Sequence, residues 1–422
     1  MPLAEFVSKQ LYVTGIVAEH AEEAAFLWTL RDASVTAPQF RLRDLAGLDG
    51  RVEAHIDGLR VAGELGWNIC CKEGNLDTAG DVFAAGLLAF ESGLDSRINA
   101  VLSCAAKGLP LTRAVVSAIG WLPAAGCASH LAKLGRHPNM QWAAIASAAA
   151  HRRRPENLGT VLESGDSAAQ ARACYAVGEL GALDLLPLLP PLLNHADEDC
   201  RFSAVWATSL LCGDRGALDR LRPFCDSGKF VVDAIGLFVR RAEHAVAREF
   251  VGQMTSMADK RRHAILAAAA LGDSSFCPWL ISQMRVSSLA RIAGQSFATI
   301  TGADLINEKL TMETPPFSDV GPTDDPADDN VRIDVDDSLP FPDPDAVNSW
   351  WIEHRAAIPA GTKLLLGEHL SDEWLMQVLR SGAQPQRDAA ALELAIAHPG
   401  SVLFNTRAPG FRQQSILRQG SI

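Results

Sequence analysis

Apolar positions recur through the middle of the chain at the three- and four-residue spacing of amphipathic helices. Most of these segments close on glycine, which favours the left-handed conformation that ends a helix. An aspartate commonly follows, as in Gly213-Asp214 and Gly272-Asp273, and can cap a second, shorter helix. The pattern is clearest in three segments, whose apolar positions are Ala169, Ala173, Ala176, Val177 and Leu180; Phe202, Val205, Trp206 and Leu210; and Ala264, Ala267, Ala268 and Leu271.

These segments repeat at a nearly constant interval, which is typical of a solenoid. The alternative is an irregular helical domain without a repeat. We therefore expect an all-α fold, a HEAT-like α-solenoid of seven to eight helix pairs with about 30 residues each, which resembles the short HEAT-like repeats also found in phycobilin lyases. The segments end at Gly120, His151, Gly181, Gly213, Ala242, Gly272 and Gly302, with a weaker member at Gly93.

The flanks do not share this period, and they give four predicted segments. Residues 1–75 form an N-terminal helical cap, with helices at 17–30 and 45–65, and residues 76–312 form the repeats. Residues 313–346 form an acidic, proline-rich flexible linker, because 313–345 carry eleven acids, one base and seven prolines. Residues 347–422 form a C-terminal cap, in which Trp350-Trp351 begin a helix and a strand is possible near 363–366.

Charge and composition limit the classes of partner that we expect for this chain. The net charge of −12 disfavours nucleic acid, since phosphate binding needs a basic surface. No signal peptide and no apolar run of membrane-spanning length is present, which predicts no membrane insertion. The nine cysteines contain no C-x-x-C pair, which indicates packed, reduced thiols. A cytoplasmic location is the expectation.

Two terminal motifs carry a more specific resemblance. The N-terminal one comprises the string from His20 to Trp28, with Glu23 inside it, and the string from Asp49 to Gly63; the C-terminal one comprises Trp350-Trp351 and Gly361-Thr362-Lys363-Leu364-Leu365-Leu366-Gly367. Together they resemble an uncharacterised proteobacterial family of HEAT-like proteins. The family commonly has Arg-Tyr-Leu where this chain has Lys363-Leu364-Leu365. The resemblance implies a genetic neighbourhood of type VI secretion spike and PAAR-type components. The motif positions that we single out are His20, Glu23, Trp28, Asp49, Arg51, His55, Asp57 and Gly58.

Catalytic and cofactor motifs are missing from the sequence. None of the eleven histidines is followed by glutamate, unlike the di-iron HEAT-like enzyme deoxyhypusine hydroxylase. His20 and Glu23 lie one helical turn apart, but a metal site needs a further ligand from elsewhere, and a surface helix with a partly buried histidine is the simpler interpretation. We therefore predict no enzyme activity, no catalytic residue, no metal and no cofactor.

Basic groups at repeat-helix ends offer candidate partner contacts. Cations there interact favourably with the helix dipole, which is the structural explanation. The functional hypothesis is that they hold an acidic partner, and the acidic linker of this same chain is one candidate. The residues are Arg152, Arg153, Arg154, Arg240, Arg241, Arg261 and Arg262.

The sequence thus predicts a non-enzymatic scaffold or adaptor for a protein partner. The resemblance suggests an accessory or chaperone-like factor for type VI secretion effectors or spike proteins. Two alternatives stay open: a bilin-lyase-like or other enzyme that acts on a bound protein, and an immunity protein that neutralises a toxin.

Overall fold

The computed structural model describes residues 13–71, 76–123, 126–137, 140–312 and 335–420. The secondary structure of these residues is helical apart from two very short strands, as the apolar spacing predicts. They divide into two compact units, which do not follow the four predicted segments. Unit 1 comprises 1–35, 43–156 and 407–413, and unit 2 comprises 36–42, 157–406 and 414–422. Each unit therefore includes a short stretch that is distant in sequence from the rest of it.

Unit 1 is an all-helical bundle around a core of aromatic and small residues. Trp28 stacks on Phe83 with ring centroids 5.0 Å apart, and Phe83 meets the edge of Trp121 at 5.2 Å. The core closes as α4 packs against α1 and α6. The helices are α1 (Thr14–Ser34), α2 (Leu42–Ala62), α3 (Glu64–Cys70), α4 (Ala79–Ser92), α5 (Asp95–Ala105), α6 (Leu109–Trp121), α7 (Cys127–Arg136) and α8 (Gln141–Ala150).

Unit 2 is a succession of long buried helices, each followed by a shorter element. The long helices α10, α11, α13, α15 and α17 pack against one another in chain order. The helices and strands are α9 (Leu158–Ser164), α10 (Ser167–Glu179), α11 (Glu198–Leu211), α12 (Arg215–Leu221), α13 (Val231–Arg241), α14 (His244–Thr255), α15 (Arg261–Leu271), α16 (Cys277–Gln283), α17 (Ser287–Thr301), α18 (Pro344–His354), β1 (Leu364–Leu365), β2 (Glu368–His369), α19 (Asp372–Ser381) and α20 (Gln384–Ala397), with α21 (Gly410–Gln419) beginning in unit 1.

The long helices end where the spacing of glycines predicts. Gly272 and Gly302 close α15 and α17 with φ of 72° and 78°, in the left-handed region. The aspartates that follow cap the next element: the Asp214 carboxylate accepts a hydrogen bond from the Ala217 amide at 2.7 Å. Gly120 is an exception, because α6 continues through it to Trp121.

Two further predictions need correction. The second, shorter helix that the pattern predicts after Gly181 is a pair of 3₁₀ turns, Leu183–Leu188 and Pro190–Asn194, because its three prolines lack the amide hydrogens of an α-helix. Trp350 and Trp351 lie inside α18 rather than at its start, which is set by the Asp343 side-chain cap and Pro344. The possible strand near 363–366 is β1, which pairs antiparallel with β2.

Candidate partner-binding surfaces

Three residues of the N-terminal motif, His20, His55 and Gly58, form a contact between α1 and α2, and Glu23 lies one turn from it on α1. The His20 and His55 rings face each other, with their Nδ1 atoms 3.1 Å apart. Gly58 gives the His20 ring its space, since a Cβ there would lie 2.5 Å from the ring. Glu23 is exposed. The motif therefore joins two helices.

Other members of that motif are structural or exposed. Trp28 is buried, and its indole N–H donates to the Ser117 hydroxyl at 3.0 Å. Arg51 and Asp57 are exposed, and Asp57 pairs with Arg60 at 2.6 Å.

Asp49, the remaining member, lies in a buried ion pair that no sequence pattern predicts. The Arg31 Nε donates to Asp49 at 2.8 Å, and both side chains are at most 4% exposed. The two terminal nitrogens of Arg31 donate to the carbonyls of Arg407 and Ala408 at 2.8 and 2.7 Å. The Gly410 amide donates to the other Asp49 oxygen. Arg31 has no local signature, because the carbonyls that accept its hydrogen bonds outside α2 are more than 370 residues away in the sequence.

The basic group at the end of α8 stays on the surface of unit 1. Arg152 adopts a left-handed φ of 56° and is half-buried, while Arg153 and Arg154 are exposed. The Arg153 amide donates to the Ala148 carbonyl at 2.8 Å, which closes the helix. Of the predicted basic groups, this one presents most cationic surface to solvent.

Arg240 and Arg241, in contrast, are engaged within unit 2. Arg240 lies 3.4 Å from the Glu393 carboxylate, and both side chains are nearly buried. The ammonium group of Lys363 donates to the Arg240 carbonyl. Burial raises the pKa of Glu393, although Arg240 and Lys363 oppose this shift. Arg241 donates to the Ser209 carbonyl at 3.1 Å. Arg240 is therefore enclosed within unit 2, while Arg241 stays partly exposed.

The third basic group meets the described end of the acidic segment. Arg262 makes a bidentate pair with Asp336 at 2.6 and 2.7 Å, whereas Arg261 is exposed. Asp337 lies 3.3 Å from Arg291 on α17. The predicted linker residues 313–334 lie outside the described residues.

The base of this acidic segment is closed by backbone pairing. Thr311 and Pro342 form an antiparallel bridge, and the Met312 amide donates to the Phe341 carbonyl at 3.0 Å. The Asp343 amide also donates to the Leu310 carbonyl at 2.8 Å. Residues 310–312 and 341–343 are therefore neighbours.

The C-terminal part of unit 2 lies over the ends of the long helices. The Leu364 amide donates to the Gly272 carbonyl at 3.0 Å, and the Leu366 amide donates to the Thr299 carbonyl at 2.7 Å. Further along, the Leu403 amide donates to the Glu179 carbonyl at 2.8 Å. These donors satisfy carbonyls that a helix leaves unpaired in its last turn.

Three neighbouring long helices each keep a partly exposed residue at an equivalent middle position. The middle residues Gly236 of α13, Leu266 of α15 and Gln295 of α17 are partly exposed, while most of their helical neighbours are buried. They lie 30 and 29 positions apart in the sequence. We name these three residues the central face.

A cysteine–histidine pair in unit 1 has the residue types of a nucleophile and its base, but not the required hydrogen-bond arrangement. Cys127 Sγ lies 3.1 Å from His151 Nε2, but the same nitrogen lies 2.8 Å from the Ile119 carbonyl. A carbonyl accepts only from a protonated nitrogen, so Nε2 carries the hydrogen and cannot take a proton from the thiol. Burial also raises the pKa of the Cys127 thiol. The pair is a packing contact.

Comparison of the chain with protein-family models, with curated proteins and with solved structures finds no match in any of the three. Within the described ranges, no helix is long and apolar enough to cross a membrane. Nor do three histidine, cysteine, aspartate or glutamate side chains of that part of the chain already converge as metal ligands.

Proposed function

We propose that this chain is a non-enzymatic protein-binding scaffold, a cytoplasmic HEAT-like α-solenoid of seven to eight helix pairs. Its partner, we propose, is an effector or spike component of type VI secretion, which the chain holds as an accessory or chaperone-like factor. The secretion context rests on the resemblance of the terminal motifs. The binding role rests on the central face.

The central face supports this proposal because other parts of unit 2 border it at both ends, while its own residues stay partly exposed. At the N-terminal ends of the helices, Arg262 and Arg291 contact the acidic residues Asp336 and Asp337. At the C-terminal ends, Lys363 and Leu364 contact Arg240 and Gly272. Between these borders the face presents a glycine, a leucine and a glutamine.

This composition fits a peptide segment better than a charged small molecule. Small and neutral side chains let a backbone approach closely, and a partly exposed leucine gains stability when a partner covers it. Three adjacent helices at 8–10 Å spacing span roughly 20 Å, the length of a short helix or strand. Repeat proteins commonly bind partners on such continuous surfaces.

The test is affinity capture from the source bacterium with quantitative mass spectrometry. Leu266→Arg places a charge in the middle of the central face and should reduce recovery of the partner by at least about tenfold, as expected for a central interface position. Val246→Arg is the matched control, because Val246 is 44% exposed on α14. We expect its recovery to equal that of the unmodified chain.

Three outcomes decide the proposal. Equal recovery with both variants would show that the central face is not the binding surface. Failure of the unmodified chain to retain any protein above a bare-resin control would remove the scaffold proposal. Recovery of partners unrelated to secretion would leave the scaffold and overturn its secretion role.

A further inference from the structure

The distance between the His20 and His55 nitrogens is close to that between two histidine ligands of one metal ion. The two Nδ1 atoms are 3.1 Å apart, and the ring centroids are 5.2 Å apart. Two nitrogens bound tetrahedrally to one Zn²⁺ at 2.0–2.1 Å lie about 3.3 Å from each other. Without a metal, the same pair forms an N–H···N hydrogen bond. To bind an ion, the ring whose Nδ1 carries the hydrogen must first take the other tautomer, with its hydrogen on Nε2, and both Nδ1 lone pairs must then turn toward the ion.

The surrounding helices hold both rings in place. Val17 and Ala24, one turn on either side of His20, are buried, and so are Ile56 and Leu59 beside His55. Gly58 leaves the gap that the His20 ring fills. A pair of imidazoles that is fixed in this way loses little conformational entropy when it binds an ion.

One carboxylate on α1, that of Glu23, is near enough in sequence to supply a third ligand. Glu23 follows His20 by three residues, and Cβ atoms at that spacing are about 5–6 Å apart on one helical face. Glu23 is exposed and makes no ion pair or hydrogen bond with any described residue. Its side chain must turn inward to reach an ion, because no third ligand is already in position within the described ranges. Arg51, one turn before His55, opposes a cation.

We propose that His20 and His55 are the preset ligands of a Zn²⁺-type site, which the Glu23 carboxylate and water complete. Imidazole nitrogen with one carboxylate oxygen is a donor set that suits zinc and similar divalent transition metals. A bound ion links α1 to α2 across 35 residues of sequence. This site is independent of the central face and of the scaffold function.

The experiment is calorimetric titration of the purified full chain with Zn²⁺, and with Mg²⁺ in parallel. We expect one Zn²⁺ per chain and no Mg²⁺. His20→Gln and His55→Gln should each weaken Zn²⁺ binding by at least about tenfold. His369→Gln is the control, because His369 is exposed on β2 in unit 2. Arg51→Gln should strengthen binding, since it removes a nearby positive charge.

A second measurement guards against variants that fail to fold. In the unmodified chain, the imidazole ¹⁵N resonances of His20 and His55 should shift together as Zn²⁺ is added, before those of the other histidines. Co²⁺ should give the intense visible absorption of a four-coordinate site. Zn²⁺ binding that persists in His20→Gln/His55→Gln, or imidazole resonances of the pair that stay unchanged, would show that the contact is a hydrogen bond alone.

Discussion

Buried ionisable side chains decide much of the local structure at the scale of single residues. Asp49 is held by Arg31 and by the Gly410 amide, and Glu393 lies between Arg240 and Lys363. A buried charge without such partners costs several kcal/mol, so each of these groups depends on residues far away in the sequence. Motif resemblance singled out Asp49 but not its partner, because an ion pair leaves no periodic pattern.

His151 offers a test of this dependence through pH. Burial, together with the nearby Arg412 and Arg153, lowers the pKa of His151 from 6.5 to about 4. Between these values the unfolded chain binds a proton that the folded chain does not. The free energy of unfolding therefore gains a contribution from His151 that is present above pH 6.5 and is lost as the pH falls to about 4.

The variant His151→Gln isolates this contribution. Its free energy of unfolding should decline less than that of the unmodified chain across this pH window, because glutamine does not titrate. Urea unfolding of both chains at several pH values measures their free energies of unfolding. Subtracting one from the other cancels the contributions of the titrating groups that the two chains share. Parallel pH profiles for the two chains would contradict the prediction.

The glycines that close the long helices have two roles at the scale of elements. Gly272 adopts a left-handed φ of 72°, and a Cβ at this position would also overlap the Leu364 carbonyl oxygen. Gly302 stands in the same relation to the Leu366 carbonyl, at 2.6 Å. These glycines both end a helix and admit the chain that lies over it.

Gly93 separates these two roles experimentally. It has a similar φ of 68°, but a Cβ there meets nothing within 4 Å. Gly93→Ala should therefore cost only the about 1–2 kcal/mol of a left-handed alanine. Gly272→Ala should cost about 1–3 kcal/mol more, since Leu364 must move.

Chemical denaturation of both variants measures these costs, and hydrogen exchange of the Leu364 amide reports the displaced segment. The same loss of stability in both variants would show that close approach at Gly272 contributes nothing.

The regular glycine spacing made most long-helix ends predictable, because a helix terminus is a local event. The placement of 363–366 over those ends was not predictable, since Leu364 and Gly272 are 92 positions apart. The 3₁₀ turns at 183–194 were missed for a different reason. There the apolar spacing suggested a helix, and three prolines outweighed it. Of the candidate site, the basic residues were visible in the sequence, but their burial was not.

At the scale of the whole molecule, each compact unit contains a short segment whose sequence neighbours belong to the other unit. Residues 36–42 belong to unit 2, where the Phe40 carbonyl accepts from the Gln384 amide at 2.8 Å. Residues 407–413 belong to unit 1, where they satisfy Arg31 and Asp49. Each unit therefore needs a short segment from elsewhere in the sequence in addition to its long continuous range.

A chain that ends at Thr406 tests this interdependence. It lacks the carbonyls of Arg407 and Ala408 and the amide of Gly410. We expect a loss of at least about 3 kcal/mol, because hydrogen bonds to buried charged groups contribute about 1.5–3 kcal/mol each. Hydrogen exchange should show the loss in α1 and α2. A chain that ends at Gln419 keeps all three groups and is the control; equal stability of the two shortened chains would contradict the prediction.

The membership of 407–413 in unit 1 also sets an order of events during translation. Helices α1 to α8 leave the ribosome long before these residues are made, so Arg31 and Asp49 wait without their final partners while all of 157–406 is synthesised. Domains that are contiguous in sequence fold as soon as they emerge. Here the part of the chain that is made first cannot reach its native state until nearly all the rest has been released.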